Sequence, residues 1–531
     1  MAPSISIRKK RGSWGSQKGI SNPAYVEYDQ NGIVKQRNLY DIDIMTEVEI
    51  KDEKRQIIKN ILLISIAFLF NFNAFQGLSR LQSSLHREDG MGTANSAILY
   101  ASLMLSCLFV PKFIINYLGY KWTMPFAFIG YIAWMAANGY AVWGTMVPAS
   151  ILVGLCAAPL WTAQKSYFRI AAGRYAELTK QDGDSMVAFF IGLFFCIFQI
   201  SGVTGSIVSS TVLQQDVQEI DDEILESCGV NDCPGNNASN PYTEDPPDST
   251  VWLMLGIYMG IAVIGAAILV IFVDELPAYL KPKKEENLGK NSLKLLASTA
   301  KLLKYPKQLA LIPLTMYTGF EQAAFNAEFT KSFVTCSMGI WQVGYVTIPF
   351  GIMNALASLA SGRIAKYTGR LPLFTAGFVV DYIIQIVLIT WMPTPKEDYV
   401  MYILAVMWGF SDAIWQTQLN AMYGVLFPDP IPAFANNSLW TSLGFVIAFA
   451  YSGSLCTDVK LYILISVLTM AAAGYYIAEF LHKRDQNNMA DLDNKTVDKG
   501  SEKFAETTAV RPISTISNDD FFDGNGISTE L

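Results

Sequence analysis

Three features of this 531-residue sequence predict an all-α membrane protein with twelve transmembrane helices in two six-helix pseudo-repeats. Only 16% of residues are charged while 51% are hydrophobic, against roughly 25% charged in soluble domains. The apolar residues gather into twelve stretches near the ~20 residues that cross ~30 Å of hydrocarbon. The two halves of the chain also repeat short strings at a spacing near 250 residues. The same composition excludes other classes. A net charge of −7 leaves no basic footprint for nucleic acid, and the two histidines, His86 and His482, are too far apart to suggest a metal site. No cofactor and no enzymatic activity are expected.

In chain order, residues 1–56 are polar and are expected to form a disordered cytosolic tail, so that the first span serves as an uncleaved signal anchor. Six spans follow near 57–79, 95–116, 123–143, 146–168, 186–210 and 251–273, composing a first half of 57–275. Residues 276–307 are a basic cytosolic linker, in which Leu288, Leu295, Leu296, Leu302 and Leu303 share one face opposite lysines, the pattern of an interfacial helix. The second half, 308–480, holds spans near 308–328, 339–360, 372–392, 399–421, 435–455 and 460–480. Residues 481–531 lack an apolar period and are expected to be a second disordered cytosolic tail.

Lysine and arginine fix the expected orientation, because cytoplasmic loops carry the excess. With the amino terminus inside, the inner loops hold seventeen and the outer loops five, namely Arg80, Arg87, Lys331, Lys396 and Lys460. The longest outer loop, 211–250, then carries the sequon Asn237-Ala238-Ser239, so Asn237 is the expected glycosylation site. Cys228 and Cys233 lie in the same loop, and Cys336 and Cys456 also fall outside. Four cysteines allow three pairings, of which Cys228 with Cys233 is the most local and the expected disulfide. Cys107, Cys156 and Cys196 lie in spans and are expected to be packing residues.

The internal repeat pairs Phe70-Asn71 and Ala74-Phe75-Gln76 with Phe320-Glu321 and Ala324-Phe325-Asn326, and Gly119 with Gly369, all at an offset of 250. Trp161-Thr162-Ala163-Gln164 matches Trp415-Gln416-Thr417-Gln418 at 254. Two six-span halves joined by a basic linker resemble the major facilitator superfamily, whose halves are parallel repeats around a central cavity. Gly362 to Arg370 resembles its signature loop, but Lys366 stands where the acid belongs, and the first-half copy has Asn116 there and Lys112 in place of the leading glycine. In a transporter that acid helps latch the cytosolic gate, so its replacement weakens the case for ordinary alternating access.

A narrower resemblance rests on Ala157 to Gln164 and on Trp415 to Phe427, long strings rich in Trp, Gln and Asn. They are similar to those of the uncoordinated-ninety-three family and extend the likeness over residues 57 to 480. The resemblance implies an accessory or trafficking subunit of another membrane protein at the plasma membrane. One branch is associated with two-pore-domain potassium channels and potassium homeostasis, another with delivery of Toll-like receptors. A secondary transporter of a small solute or ion is the competing expectation.

That competitor rests on acids inside the spans, where a charge costs at least ~2.5 kcal/mol on insertion scales. Glu321 and Asp412 each sit about thirteen residues into a span, ~20 Å along a helix axis. In the superfamily the first, fourth, seventh and tenth helices line the cavity, which makes Asn71, Asn73, Gln76, Gln164, Glu321, Asn326, Asp412 and Gln416 the candidate central site. A cation or proton site is the functional reading. Interhelical hydrogen bonding, ~0.6 kcal/mol per pair, is the structural one. Asp381, in the more peripheral ninth span, is expected to be structural. In the first tail, Asn22-Pro23-Ala24-Tyr25 resembles an internalisation signal read by clathrin adaptors, with a proline-set turn before an aromatic anchor, and implies endosomal cycling.

Overall fold

The computed structural model describes residues 24–28, 34–38 and 45–508, apart from 88–89, 182, 215–221, 235–239, 241, 243–245, 278–279, 281–300 and 428–429. Asn22, Pro23, Asn237 and most of the linker therefore lie outside the described residues. Tyr25 belongs to a strand, β1 (Ala24–Tyr28), which pairs antiparallel with β2 (Val34–Asn38). This hairpin corrects the expectation of an unstructured first tail. Its strands set Glu27 opposite Lys35 and Tyr25 opposite Arg37, pairings of the kind that stabilise a ladder. The joining residues contain Asn31-Gly32, a strong hairpin signal.

Everything else is helical. Helix α1 (Glu47–Ser79) starts ten residues before its apolar span because Thr46 and Glu49 form a reciprocal capping box, with Thr46 N donating to Glu49 Oε2 at 3.1 Å and Glu49 N to Thr46 Oγ1 at 3.4 Å. Next come α2 (Met91–Ala137), α3 (Trp143–Thr179), α4 (Gly183–Val212) and α5 (Asp248–Ile271). After the linker come α6 (Pro306–Ala323), α7 (Gln342–Thr368), α8 (Leu371–Thr390), α9 (Tyr399–Ile414), α10 (Asn420–Leu426), α11 (Pro430–Ser452) and α12 (Thr457–Thr508). Two π-helical segments interrupt the series, Ala324–Thr335 after α6 and Trp415–Leu419 after α9. Among the described residues, seven helices are long and apolar enough to cross a membrane, or up to eight counting a bent pair as one span. At 16 residues α9 falls short alone. Helix α12 continues to Thr508, which corrects the expectation that order ends at residue 480; beyond Ala478 it forms a separate unit.

The matched glycines mark matched breaks. Gly119 interrupts α2 with φ 75° and Gly369 ends α7 with φ 79°, and a Cβ on either would meet nothing within 4 Å. Backbone conformation, not crowding, selects glycine at both. Trp161 and Trp415, the matched tryptophans, each enter an aromatic cluster, the first with Phe68, Phe72 and Phe198, the second with Tyr317, Phe374 and Phe378.

Helix α1 packs on α4 and α5, α2 on α3, α6 on α11, and α7 on α9. The helices before the linker meet those after it chiefly through α4 against α7 and α2 against α11. Tyr100 of α2 stacks on Phe445 of α11 at 3.9 Å.

The disulfides differ from expectation. Cys228 bonds Cys336 and Cys233 bonds Cys456, with Cα separations of 5.6 and 4.2 Å, so the local Cys228–Cys233 pairing is not formed. Polar contacts explain the outcome. Asp232 accepts from Thr457 N (2.9 Å) and Ser332 Oγ (2.6 Å), and Asn240 Nδ2 donates to Cys336 O (2.8 Å). These bonds lay the loop across helix ends of the second half, where each cysteine meets a different partner. Cys107, Cys156 and Cys196 are free thiols.

Candidate functional site

Asp412, near the end of α9, is the centre of the site. Its carboxylate accepts from Gln322 Nε2 at 3.1 Å and Gln416 Nε2 at 3.4 Å, and from Asn354 Nδ2 of α7. Asn354 Oδ1 in turn accepts from Gln199 Nε2 of α4 at 2.7 Å, which carries the network across to the helices before the linker. Glu321, one residue before Gln322 in α6, lies within the electrostatic reach of Asp412 and beside Trp408. It is 1% exposed, and its carboxylate oxygens make no well-formed hydrogen bond, their polar neighbours being Trp408 and Asp412. Trp408 Nε1 is likewise buried without an acceptor. A buried polar group in this condition carries a free-energy cost and calls for a functional or structural explanation.

Local backbone shapes this group. Each acid lies three residues before a π-helical segment, Glu321 before Ala324–Thr335 and Asp412 before Trp415–Leu419. The i→i+5 bonds of such segments loosen the ladder and recur at functional positions.

Of the eight residues expected in a central cavity, the structure brings Glu321, Asp412 and Gln416 together. Asn73 and Gln76 instead join α1 to α4, through Thr204 Oγ1 (2.5 Å) and Ser201 Oγ (2.9 Å). Asn71 is fully buried and neither amide atom has a hydrogen-bond partner. Gln164 is buried in α3, and Asn326 is half-buried in the first π segment. Asp381 is buried, with one carboxylate oxygen accepting from Tyr317 Oη (2.8 Å) and Trp415 Nε1 (3.0 Å) and the other making no hydrogen bond.

Four participants escaped the sequence reading. Gln322, Asn354 and Gln199 are uncharged, and only their isolation in apolar surroundings marks them. Arg80, assigned to an outer loop, is buried at the end of α1 and donates to Gly202 O (3.1 Å), Ser206 Oγ (2.7 Å) and Thr347 Oγ1 (3.4 Å), with its guanidinium 5.7 Å from the Phe350 ring centre. Among the described residues no cluster of His, Cys, Asp and Glu could hold a metal ion.

The sequence profile described as "Ion channel regulatory protein UNC-93" matches residues 86–476. The chain belongs to the UNC-93 family. This UNC-93 member is 44% identical over 442 residues to protein unc-93 homolog A of Xenopus laevis, covering 82% of this chain and 95% of the relative. The human homolog A is 39% identical, with 81% and 94% covered. Caenorhabditis elegans unc-93, named as a candidate potassium channel regulatory protein, is 33% identical over 80% of this chain and 61% of its own length. Among solved structures, the UNC-93 member resembles the nucleoside transporter NupG with a TM-score of 0.55 at 13% identity, covering 78% of this chain and 98% of NupG. The Escherichia coli fucose:proton symporter FucP matches at 0.50 and 12%, covering 80% and 98%. These likenesses establish the major-facilitator type of fold for this helical membrane protein, and nothing further about solutes.

Proposed function

We propose that the chain is a non-enzymatic accessory subunit that regulates a potassium channel, with a two-pore-domain channel the favoured partner. The observation that carries this reading is membership of the UNC-93 family, together with the name borne by the Caenorhabditis elegans relative. The reading includes twelve spans in two six-helix halves, residence at the plasma membrane and both tails in the cytosol, supported by the seventeen-to-five distribution of basic residues. Replacement of the signature-loop acid by Asn116 and Lys366 favours a regulator over a transporter. Co-expression with a two-pore-domain potassium channel should change the channel's conductance or its number at the surface. Unaltered currents and surface counts across such channels would refute it.

A second reading, secondary transport, is favoured by one specific observation: two buried carboxyls, Glu321 and Asp412, lie side by side within the helices. In purified vesicles, coupled flux abolished by Glu321→Gln or Asp412→Asn would promote this reading. Channel regulation retained by both variants, with no flux from the wild type, would remove it.

A further inference from the structure

Both cysteines of the loop between α4 and α5 bond cysteines that follow the linker. Each disulfide joins a residue before the linker to one after it, Cys228 to Cys336 and Cys233 to Cys456. Between them Asp232 receives Thr457 N, Ser332 Oγ and the Lys331 ammonium at 3.5 Å, while Tyr242 packs edge-on against Trp341 at 5.6 Å. Gly229 is seated so closely that a Cβ there would lie 2.6 Å from Pro393.

Beneath this loop runs a seam of direct contacts between the same two groups of helices. Ser84 and Thr335 share a hydrogen bond of 2.9 Å, Ser206 and Thr347 another of 2.9 Å, and Arg80 reaches Thr347 as well. A Cβ on Gly344 would come within 2.2 Å of Ser206 O, and one on Gly90 within 3.2 Å of the Gly453 Cα. Gln199 and Asn354, midway along α4 and α7, add a further crossing hydrogen bond of 2.7 Å.

We propose that this loop is a disulfide-fastened strap that keeps the loop side of the two groups of helices closed. Alternating access requires one bundle to rock against the other until each side in turn separates. A disulfide holds its Cα atoms within about 7 Å, and two of them, with the seam beneath, oppose separation on the side they cross. The inference rests on the proposed topology for one point, that the strapped side faces out of the cell.

The test uses the full chain at the cell surface, with a protease site inserted within residues 281–300. After cleavage, a denaturing gel without reductant should show the two pieces still joined, and reductant should part them. Pieces that part without reductant overturn the strap. A membrane-impermeant phosphine, which gives two electrons to each disulfide and takes the oxygen of a water molecule to become the phosphine oxide while the water's two protons complete two thiols, should part them on intact cells. If only a permeant thiol does so, the connectivity stands but the outward placement fails. Closure is read with Thr347→Cys and, separately, Ser206→Cys, using an impermeant maleimide and mass spectrometry of the labelled peptide. Labelling should be near background before reduction and rise several-fold after it. Equal labelling before and after, in both variants, would show that the strap does not hold the gate.

Discussion

Lys460 and Glu328 show what a buried charge looks like when it is satisfied. Their 2.7 Å ion pair is almost wholly enclosed, and Ser452 Oγ also donates to the carboxylate. Removing one partner of such a pair strands the other, a loss of about 3–5 kcal/mol. Lys460→Met should therefore lower the thermal midpoint of detergent-purified protein sharply, and Lys460→Met with Glu328→Leu should recover much of it; equal midpoints for the single and double variants would contradict this. Glu321 is the contrast, because its carboxylate is enclosed with no basic side chain bonded to it and with a second acid, Asp412, as its neighbour. The proximity of Glu321 and Asp412 was legible, since acids at equal depths in the seventh and tenth spans stand out against apolar neighbours. Arg80 was not. It follows the last apolar stretch of α1, where a basic residue reads as a loop, and only the packing of α1 on α4 turns it inward. In the tail, if the Asn22 to Tyr25 signal is used, Tyr25→Ala should raise the surface fraction at constant total protein; an unchanged fraction would assign the motif to chance.

At the scale of elements, the helices of the core were legible because long apolar runs leave the backbone no other way to satisfy its hydrogen bonds in lipid. Their ends were less so. The capping box at Thr46 extends α1 upstream of the apolar residues, and α12 continues to Thr508, past the last apolar stretch. The hairpin β1–β2 was missed although Asn31-Gly32 announces it. Gly369 was read correctly as the partner of Gly119, and its φ of 79° gives the reason. Gly369→Ala should destabilise the α7–α8 connection by about 1–3 kcal/mol, the scale of a strained non-glycine backbone. Ala at Gly362, which also meets no atom within 4 Å but sits within a helix, should be neutral or slightly stabilising. The comparison of midpoints decides, and equal shifts would contradict a backbone origin.

Across the whole molecule, the repeat was legible in the sequence, but the covalent links between residues before and after the linker were not. Sequence distance favours the closest cysteines, whereas the loop's hydrogen bonds to Thr457 and Ser332 carry Cys228 and Cys233 to partners 108 and 223 residues away. No periodicity encodes such contacts. The expected topology remains open to a direct check. Asn237→Gln should abolish a glycosidase-sensitive gel shift, and tags on either terminus should stay unlabelled on intact cells. A surviving shift, or a labelled amino-terminal tag, would reverse the orientation.

The π-helical segment Ala324–Thr335 also sets a reading frame in space. Glu321 and Glu328 are seven residues apart, a spacing that in a regular α-helix returns to the same face. Here one carboxylate sits beside Asp412 and the other beside Lys460. Widened winding lets a single helix address two neighbourhoods of opposite character. The count of residues in this stretch is consequently as constrained as their chemistry. Deleting one residue would change the rotation and the rise of everything downstream, carrying Cys336 away from Cys228. Substitutions here can be absorbed one side chain at a time, whereas a change of length would be felt at the carboxylates and the disulfide together.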